Sequence, residues 1–302
     1  MTSSGNYAPP NLLFDLHVLD LLELAGSQAK AGLALGMHQS TVSRSVQSLR
    51  DQLKLHPRQG SAVCRHGHND CLGHLRLSYR AHRLMEGVLR IGTDVLHQPL
   101  LQPLRGVQQV PPRFRSAENW VELICHGLLD GALVSSLALE QRLLSGQRPQ
   151  WAGIQAKPLG SLELQLVATT PEASAVLVPS QAATPLLHEW ASAQALGIER
   201  QPAACQEAKA WLKRARDRSL ALPVCLELVG SSWLDENALT PLRKKPPLIE
   251  QLWLLLPEGS GNNNAGRQVL RQLRAQILAM TTMQDPHQNA ISFTSDVITE
   301  LS

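Results

Sequence analysis

Two stretches of the chain hold side chains spaced for chemistry. In the first, Gln39, Ser40, Thr41, Ser43, Arg44 and Gln47 fall within nine residues. At about 100° per residue, Ser40, Ser43, Arg44 and Gln47 share one side of a helix, opposite a stripe of Val42, Val46, Leu49 and Leu53. Hydroxyl, amide and guanidinium groups on a narrow helical face suit hydrogen bonding to base edges in a DNA major groove. In the second stretch, Cys64, His66, His68, Cys71 and His74 fall within eleven positions. Thiolates and imidazoles are zinc ligands, but the order Cys-x-His-x-His-x-x-Cys-x-x-His is not a usual finger spacing. The favoured reading is a basic, His-rich loop touching phosphates, with two incidental cysteines, no metal and no cofactor. Cys125 beside His126 reads as a core thiol next to a surface histidine. Gly-x-Ser-x-Gly, a phosphate loop and His-Glu-x-x-His are all absent, so the chain reads as a non-enzyme.

The flanking sequence must position the first group. Leu12, Leu16, Leu19 and Leu22 recur at helical spacing. Ser27 suits an N-cap, Ala29, Ala31, Ala34 and Leu35 make a short apolar helix, and Gly36 stops it. A further helix opens at His38 or Gln39. Helix, tight turn and helix make a helix-turn-helix, with an ordinary amphipathic hairpin as the bland alternative. From Pro57 to Asn69 the residues are Gly, His and Arg-rich and predict a loop or wing. A helix follows over 72–86, with Leu75, Tyr79 and Leu84 toward its buried side. Beyond it, strands are expected at 88–92, 131–135, 162–168, 175–179, 219–223 and 251–256. Helices are expected at 97–106, 118–127, 185–196, 205–217 and 264–280. The alternation predicts an α/β body with a mostly parallel sheet.

The 302 residues accommodate a small unit and a larger one. The expected division is a loose leader at 1–10, a DNA-binding domain at 11–71, a linker helix at 72–87, an α/β domain at 88–280 and a polar tail at 281–302. Hydrophobic residues make up 43% and charged residues 18%, which argues against a disordered scaffold. No apolar run approaches the roughly 18 residues of a membrane span, and no secretory start is visible. Five scattered cysteines form no disulfide framework, so a cytoplasmic protein without a membrane partner is expected. Between His38 and Arg90, nine cations face three acids, a net of +6 within a chain of net +3. A basic front end on a mildly acidic body suits a nucleic-acid binder.

The run from Gly26 to Leu53 resembles the N-terminal winged helix-turn-helix of LysR-type transcriptional regulators. Gly26-Ser27 matches the family's start, Ala31-Gly32 stands at its pair of alanines, and Leu35 at its leucine. Gln39-Ser40-Thr41-Val42-Ser43-Arg44 matches its motif core without a gap, and Leu49 and Leu53 its closing leucines. The likeness then thins. Arg50 and Lys54 replace the family's Glu and Gly, and Leu55-His56-Pro57-Arg58 lacks its Phe. The linker helix is also shorter than the family's. In outline, Leu89-Arg90-Ile91-Gly92, Gly131 to Ser136, Leu220 to Pro223 and Leu252 to Leu256 resemble strands of its effector domain.

The resemblance implies a periplasmic-binding-protein-like effector domain of two α/β subdomains behind the winged helix-turn-helix and linker helix. It implies a regulator whose binding to double-stranded DNA is modulated by a small-molecule effector, in a homodimer or homotetramer joined through the helix at 72–86. Gln39, Ser40, Thr41, Ser43, Arg44 and Gln47 are then expected in the groove, with Lys54, Arg58 and Arg65 on phosphates. Thr93, Ser135, Ser136 and Thr169 stand at strand ends where the family places its effector. Asp94 either repels an anionic effector or caps a helix. Two other readings are a divergent relative that has lost strong DNA binding, and a small-molecule binding module acting through a protein partner.

Overall fold

Leu13, Leu16, Leu19 and Leu22 pack against Val42, Val46 and Leu49, and this core builds the N-terminal unit. The computed structural model describes residues 7–140, 147–201, 207–242, 245–260 and 263–284. Helix α1 (Phe14–Ala25) ends at a left-handed Gly26, and α2 (Gln28–Leu35) begins at Ser27, whose hydroxyl accepts from the Lys30 N–H at 3.3 Å. Gly36, left-handed at φ 64°, closes α2, and α3 (Gln39–Leu53) follows. Leu12 does not join the leucine stripe. It lies in a 3-10 turn over Asn11–Leu13 and is 92% exposed.

The segment after α3 contains no strand. One backbone bond, Arg58 N–H to Arg65 C=O at 3.0 Å, draws it into a loop whose Val63 and Cys64 are buried. Helix α4 (Asp70–Met85) buries Leu72, Arg76, Tyr79 and Arg83. Of the three residues expected toward its buried side, Tyr79 is buried and Leu75 and Leu84 are half-buried. Residues 1–6 of the expected leader lie outside the described residues, and Tyr7 packs on α4, its hydroxyl 2.8 Å from His82 Nδ1.

The body alternates strands and helices. In chain order it runs β1 (Leu89–Gly92), α5 (Gln98–Leu101), β2 (Val107–Gln109), α6 (Ala117–Cys125), β3 (Gly131–Ser135), β4 (Ile154–Ala168) and β5 (Ala175–Val178). It continues through α7 (Pro185–Ala193), β6 (Gly197–Arg200), α8 (Ala208–Asp217), β7 (Leu222–Cys225) and α9 (Leu226–Glu236) to β8 (Thr240–Pro241), β9 (Leu248–Pro257) and α10 (Asn264–Gln284). A main sheet runs β2-β1-β3-β9-β4-β7, with β8 on β4, and β5 and β6 form a separate parallel pair.

The sheet is mixed rather than mostly parallel. β4 and β9 pair antiparallel from Ile154–Pro257 to Leu164–Leu248, with a register shift between Pro158 and Gly160. One end of this long ribbon carries β3, β1 and β2, and the other carries β7 and β8, so it crosses between two halves. Crossing strands run against the parallel strands of each half, which short-range sequence pattern cannot foresee.

Some element boundaries also moved. The helix expected at 97–106 shrinks to α5 because Pro103 lacks a donor and Gly106 is left-handed at φ 72°. α9 escaped notice because Gly230 breaks it at φ 75°. α10 continues to Gln284, and the rest of the expected tail lies outside the described residues.

Candidate nucleic-acid interface

Helix α3 sets its apolar stripe into the core and turns the other side outward. Gln39, Ser40, Arg44 and Gln47 are exposed, while Thr41 and Ser43 are half-buried. Gln39 is steadied by donation from its Nε2 to Gln28 Oε1 of α2 at 3.3 Å, and Ser40 Oγ lies 3.1 Å from His38 Nδ1. Arg44 Nε donates to the Ser40 carbonyl at 3.4 Å. Among the described residues no carboxylate lies within ion-pair distance of Arg44. Gln47 donates to Asp51 at 2.7 Å, which places an acid at the C-terminal edge of the face. Hydroxyl, amide and guanidinium groups therefore share one solvent-facing side of a helix.

The three cations expected on phosphates divide. Lys54, the left-handed cap of α3, and Arg58, whose N–H closes the loop onto Arg65, are exposed. Arg65 is half-buried and its Nη2 donates at 3.4 Å to the Gly26 carbonyl, so it faces the C-terminus of α1. A cation there meets the negative end of the helix dipole. Arg115 joins it, donating to the Glu23 and Leu24 carbonyls at 3.3 and 2.9 Å. Burial, with Arg113 and Arg65 nearby, brings Arg115 down to about 9.

The +6 of the basic segment is only partly a surface charge. Arg76, Arg83 and Arg90 are at most 1% exposed. They neutralise carboxylates outside the counted segment. Asp20 of α1 accepts from Arg76 at 2.8 Å and from Arg90 at 3.2 Å. Asp130, just before β3, accepts from Arg83 Nε and Nη2 at 2.9 and 2.8 Å and from the Arg90 N–H at 2.7 Å. Arg90 Nη2 also donates to the Tyr79 hydroxyl at 2.8 Å, and the Arg83 and Arg90 guanidinium carbons lie 4.6 and 4.9 Å from the Tyr79 ring centre. Burial first, then Arg90 and Arg83, lowers His17 to about 3. Its neutral Nδ1 accepts from Tyr79 and Arg90 at 2.7 and 3.0 Å.

These residues join α1, α4 and β1 through one buried network, and sequence reasoning missed it. Its signal was present on α4. Leu72, Arg76, Tyr79 and Arg83 recur at spacings of four, three and four, a core stripe written partly in arginine.

The four residues expected at an effector site do not converge on one point. Thr93 and Ser135 are buried beside one another's strands. Thr93 donates to the Leu133 carbonyl at 3.1 Å, and Ser135 Oγ accepts from the Leu137 N–H at 3.3 Å. Ser136 is half-buried and accepts from the Gln251 N–H at 3.1 Å. Thr169 is exposed just beyond the far end of β4, where Ala168 pairs with Thr240.

Asp94 caps the turn into α5, accepting from the Leu96 and His97 N–H groups at 2.8 and 3.1 Å. It also holds His97 Nδ1 at 2.9 Å, while His97 Nε2 meets Glu250 of β9 at 2.9 Å. Burial opposes a charge on His97, but the two flanking carboxylates outweigh it and raise the imidazole well above its ordinary range. An imidazolium donating at both nitrogens satisfies this arrangement. A cavity of about 630 Å³ is lined by Pro185, His188, Ile198 and Arg200 among others, and none of the four residues lines it.

Two expectations about the cysteines and histidines differ in place. Cys64 and His68 meet His126, at the end of α6, while His66, Cys71 and His74 stay outside that group. Cys125 is exposed and its neighbour His126 half-buried, the reverse of a core thiol beside a surface histidine.

No family model and no curated protein matches the chain. Among solved structures it is similar to ArgP from Mycobacterium tuberculosis, at 16% identity and a TM-score of 0.47, over 87% of this chain and 96% of that one. It is similar to full-length LysG from Corynebacterium glutamicum with bound effector Arg, at 13% and 0.45, over 88% and 98%. A third likeness, at 14% and 0.47 over 87% and 99%, is to full-length CbnR complexed with its target DNA. All three are distant likenesses. No helix among the described residues is long and apolar enough to cross a membrane.

Proposed function

We propose that the chain is a divergent LysR-type transcriptional regulator that binds double-stranded DNA and answers to a small-molecule effector. The observation that carries this reading is the outward side of α3, where Gln39, Ser40, Arg44 and Gln47 stand on a helix-turn-helix whose sequence carries the family's motif core without a gap. In this reading Gln39, Ser40, Thr41, Ser43, Arg44 and Gln47 enter a major groove, with Lys54 and Arg58 on flanking phosphates. Arg65 acts through α1 instead.

Residues 11–71 serve as the DNA-reading domain, 72–87 as the linker and 88–280 as the effector domain. The effector sits between the halves that β4 and β9 join, near Thr93, Ser135 and Ser136, with Thr169 on the outer rim. Homodimers or homotetramers form through α4, whose Leu77 and Met85, 56% and 84% exposed, lie two turns apart on its free side. Effector binding then changes the spacing of two recognition helices on paired half-sites.

Electrophoretic mobility shift with fragments of the source genome tests the reading. A retarded fragment competed by unlabelled copies of itself, and not by unrelated DNA, supports it. Equal competition by any DNA contradicts it.

A further inference from the structure

Cys64, His68 and His126 each offer a ligand atom, and the three atoms lie within 4.8 Å of one another. They come from two different units. Cys64 and His68 belong to the loop between α3 and α4, and His126 caps α6 of the α/β body. The loop is shaped to deliver them. Cys64 is fully buried in the left-handed region at φ 55°, and Gly67 at φ 119° has no room for a side chain, since a Cβ there would stand 2.7 Å from the Leu55 Cβ.

A second observation points to a ligand. His68 Nδ1 is shut off from solvent and has no hydrogen-bond partner. A buried imidazole nitrogen without a partner carries an unmet desolvation penalty. The His68 and His126 rings stand edge to face with centres 4.6 Å apart, so neither satisfies the other through an in-plane hydrogen bond.

We propose that Cys64, His68 and His126 form a transition-metal site that clasps the helix-turn-helix unit to the α/β body, with zinc the ion its donors suit best. One thiolate and two imidazoles are a borderline-soft donor set, favouring zinc or cobalt over magnesium or calcium. Donors around a tetrahedral zinc stand about 3.3–3.7 Å apart, so small side-chain rotations close the site. The fourth position is left for water.

Binding replaces the Cys64 thiol proton by the metal and releases that proton to solvent, with no change of oxidation state. Arg76 Nη1, 3.4 Å from the Cys64 sulfur, donates to the thiolate and supports it from outside the metal. The site is independent of DNA binding, so its test and that of the proposed function fail separately.

Cobalt(II) titration of the full chain with its thiols reduced decides the matter. One equivalent of cobalt per chain is expected, with a thiolate-to-cobalt charge-transfer band and the intense visible bands of a tetrahedral ion, all displaced by zinc. Replacement of buried Cys64 can disturb the loop, so the deciding variants are His126→Gln and His68→Gln, with far-ultraviolet circular dichroism as the folding check. Each weakens cobalt binding by about a hundredfold or more, since even outer-shell partners of a metal carry 10–100-fold. Cys71→Ser and His66→Ala leave both band and affinity in place. Absence of the charge-transfer band in the unaltered protein overturns the proposal. Unchanged affinity in His126→Gln, or loss of the band in Cys71→Ser, overturns this choice of ligands.

Discussion

Asp20, on the first helix, accepts a hydrogen bond from Arg90, on the first strand of the sheet, at 3.2 Å across 70 residues of chain, with both side chains fully buried. The same carboxylate holds Arg76 at 2.8 Å. Removing it strands two guanidinium groups away from water. Asp20→Ala is therefore expected to destabilise the protein by about 3–5 kcal/mol, the usual penalty for breaking one side of a buried pair. Urea unfolding followed by circular dichroism measures this, and a loss below about 1 kcal/mol would show that the charges are solvated.

His97 makes stability depend on pH. Its folded pKa is raised, so the native state holds the proton more tightly than the unfolded chain. The resulting stabilisation is complete below the unfolded value of about 6.5 and declines as pH rises from there through the folded pKa. His97→Gln is expected to lower stability by about 3 kcal/mol at pH 6 and to flatten this decline. Unfolding curves at a series of pH values check both, and an unaltered slope in the variant would assign the dependence to another group.

Gly32 reverses an ordinary expectation. Alanine favours a helix over glycine by about 1 kcal/mol, and two alanines are what the resemblance leads one to expect at 31–32. Here Ala31 is fully buried, and a Cβ at Gly32 would stand 2.7 Å from the Met37 carbonyl oxygen, which is backbone and cannot swing aside. Gly32→Ala should lose about 1–3 kcal/mol in thermal or chemical unfolding, as overpacking does. A gain in stability would mean that the turn through Gly36 yields easily.

Helical periodicity made the N-terminal unit legible. Leu16, Leu19 and Leu22 meet Val42, Val46 and Leu49, and Gly36 turns the chain between α2 and α3. β3 was legible too, as a short apolar run after Asp130. The second buried side of α1 was not. His17, Asp20 and Glu23 are polar, yet all three are buried because Arg90, Arg76 and the His66 N–H reach them from distant segments. Polar residues betray burial only through their partners, and those partners lie beyond any local window. The metal-ligating group was half legible for the same reason, since Cys64 and His68 are close in sequence and His126 is not.

Fluorescence anisotropy of labelled DNA from upstream of the protein's own gene tests the DNA-reading surface most directly. Saturable binding is expected, weakening steeply between about 50 and 200 mM salt, as phosphate contacts require. Arg44→Ala should weaken specific binding by about 1–3 kcal/mol, with its unfolding curve unchanged because Arg44 is exposed. No anisotropy change at micromolar protein, or full affinity in Arg44→Ala, would contradict the assignment of α3 as the reading helix.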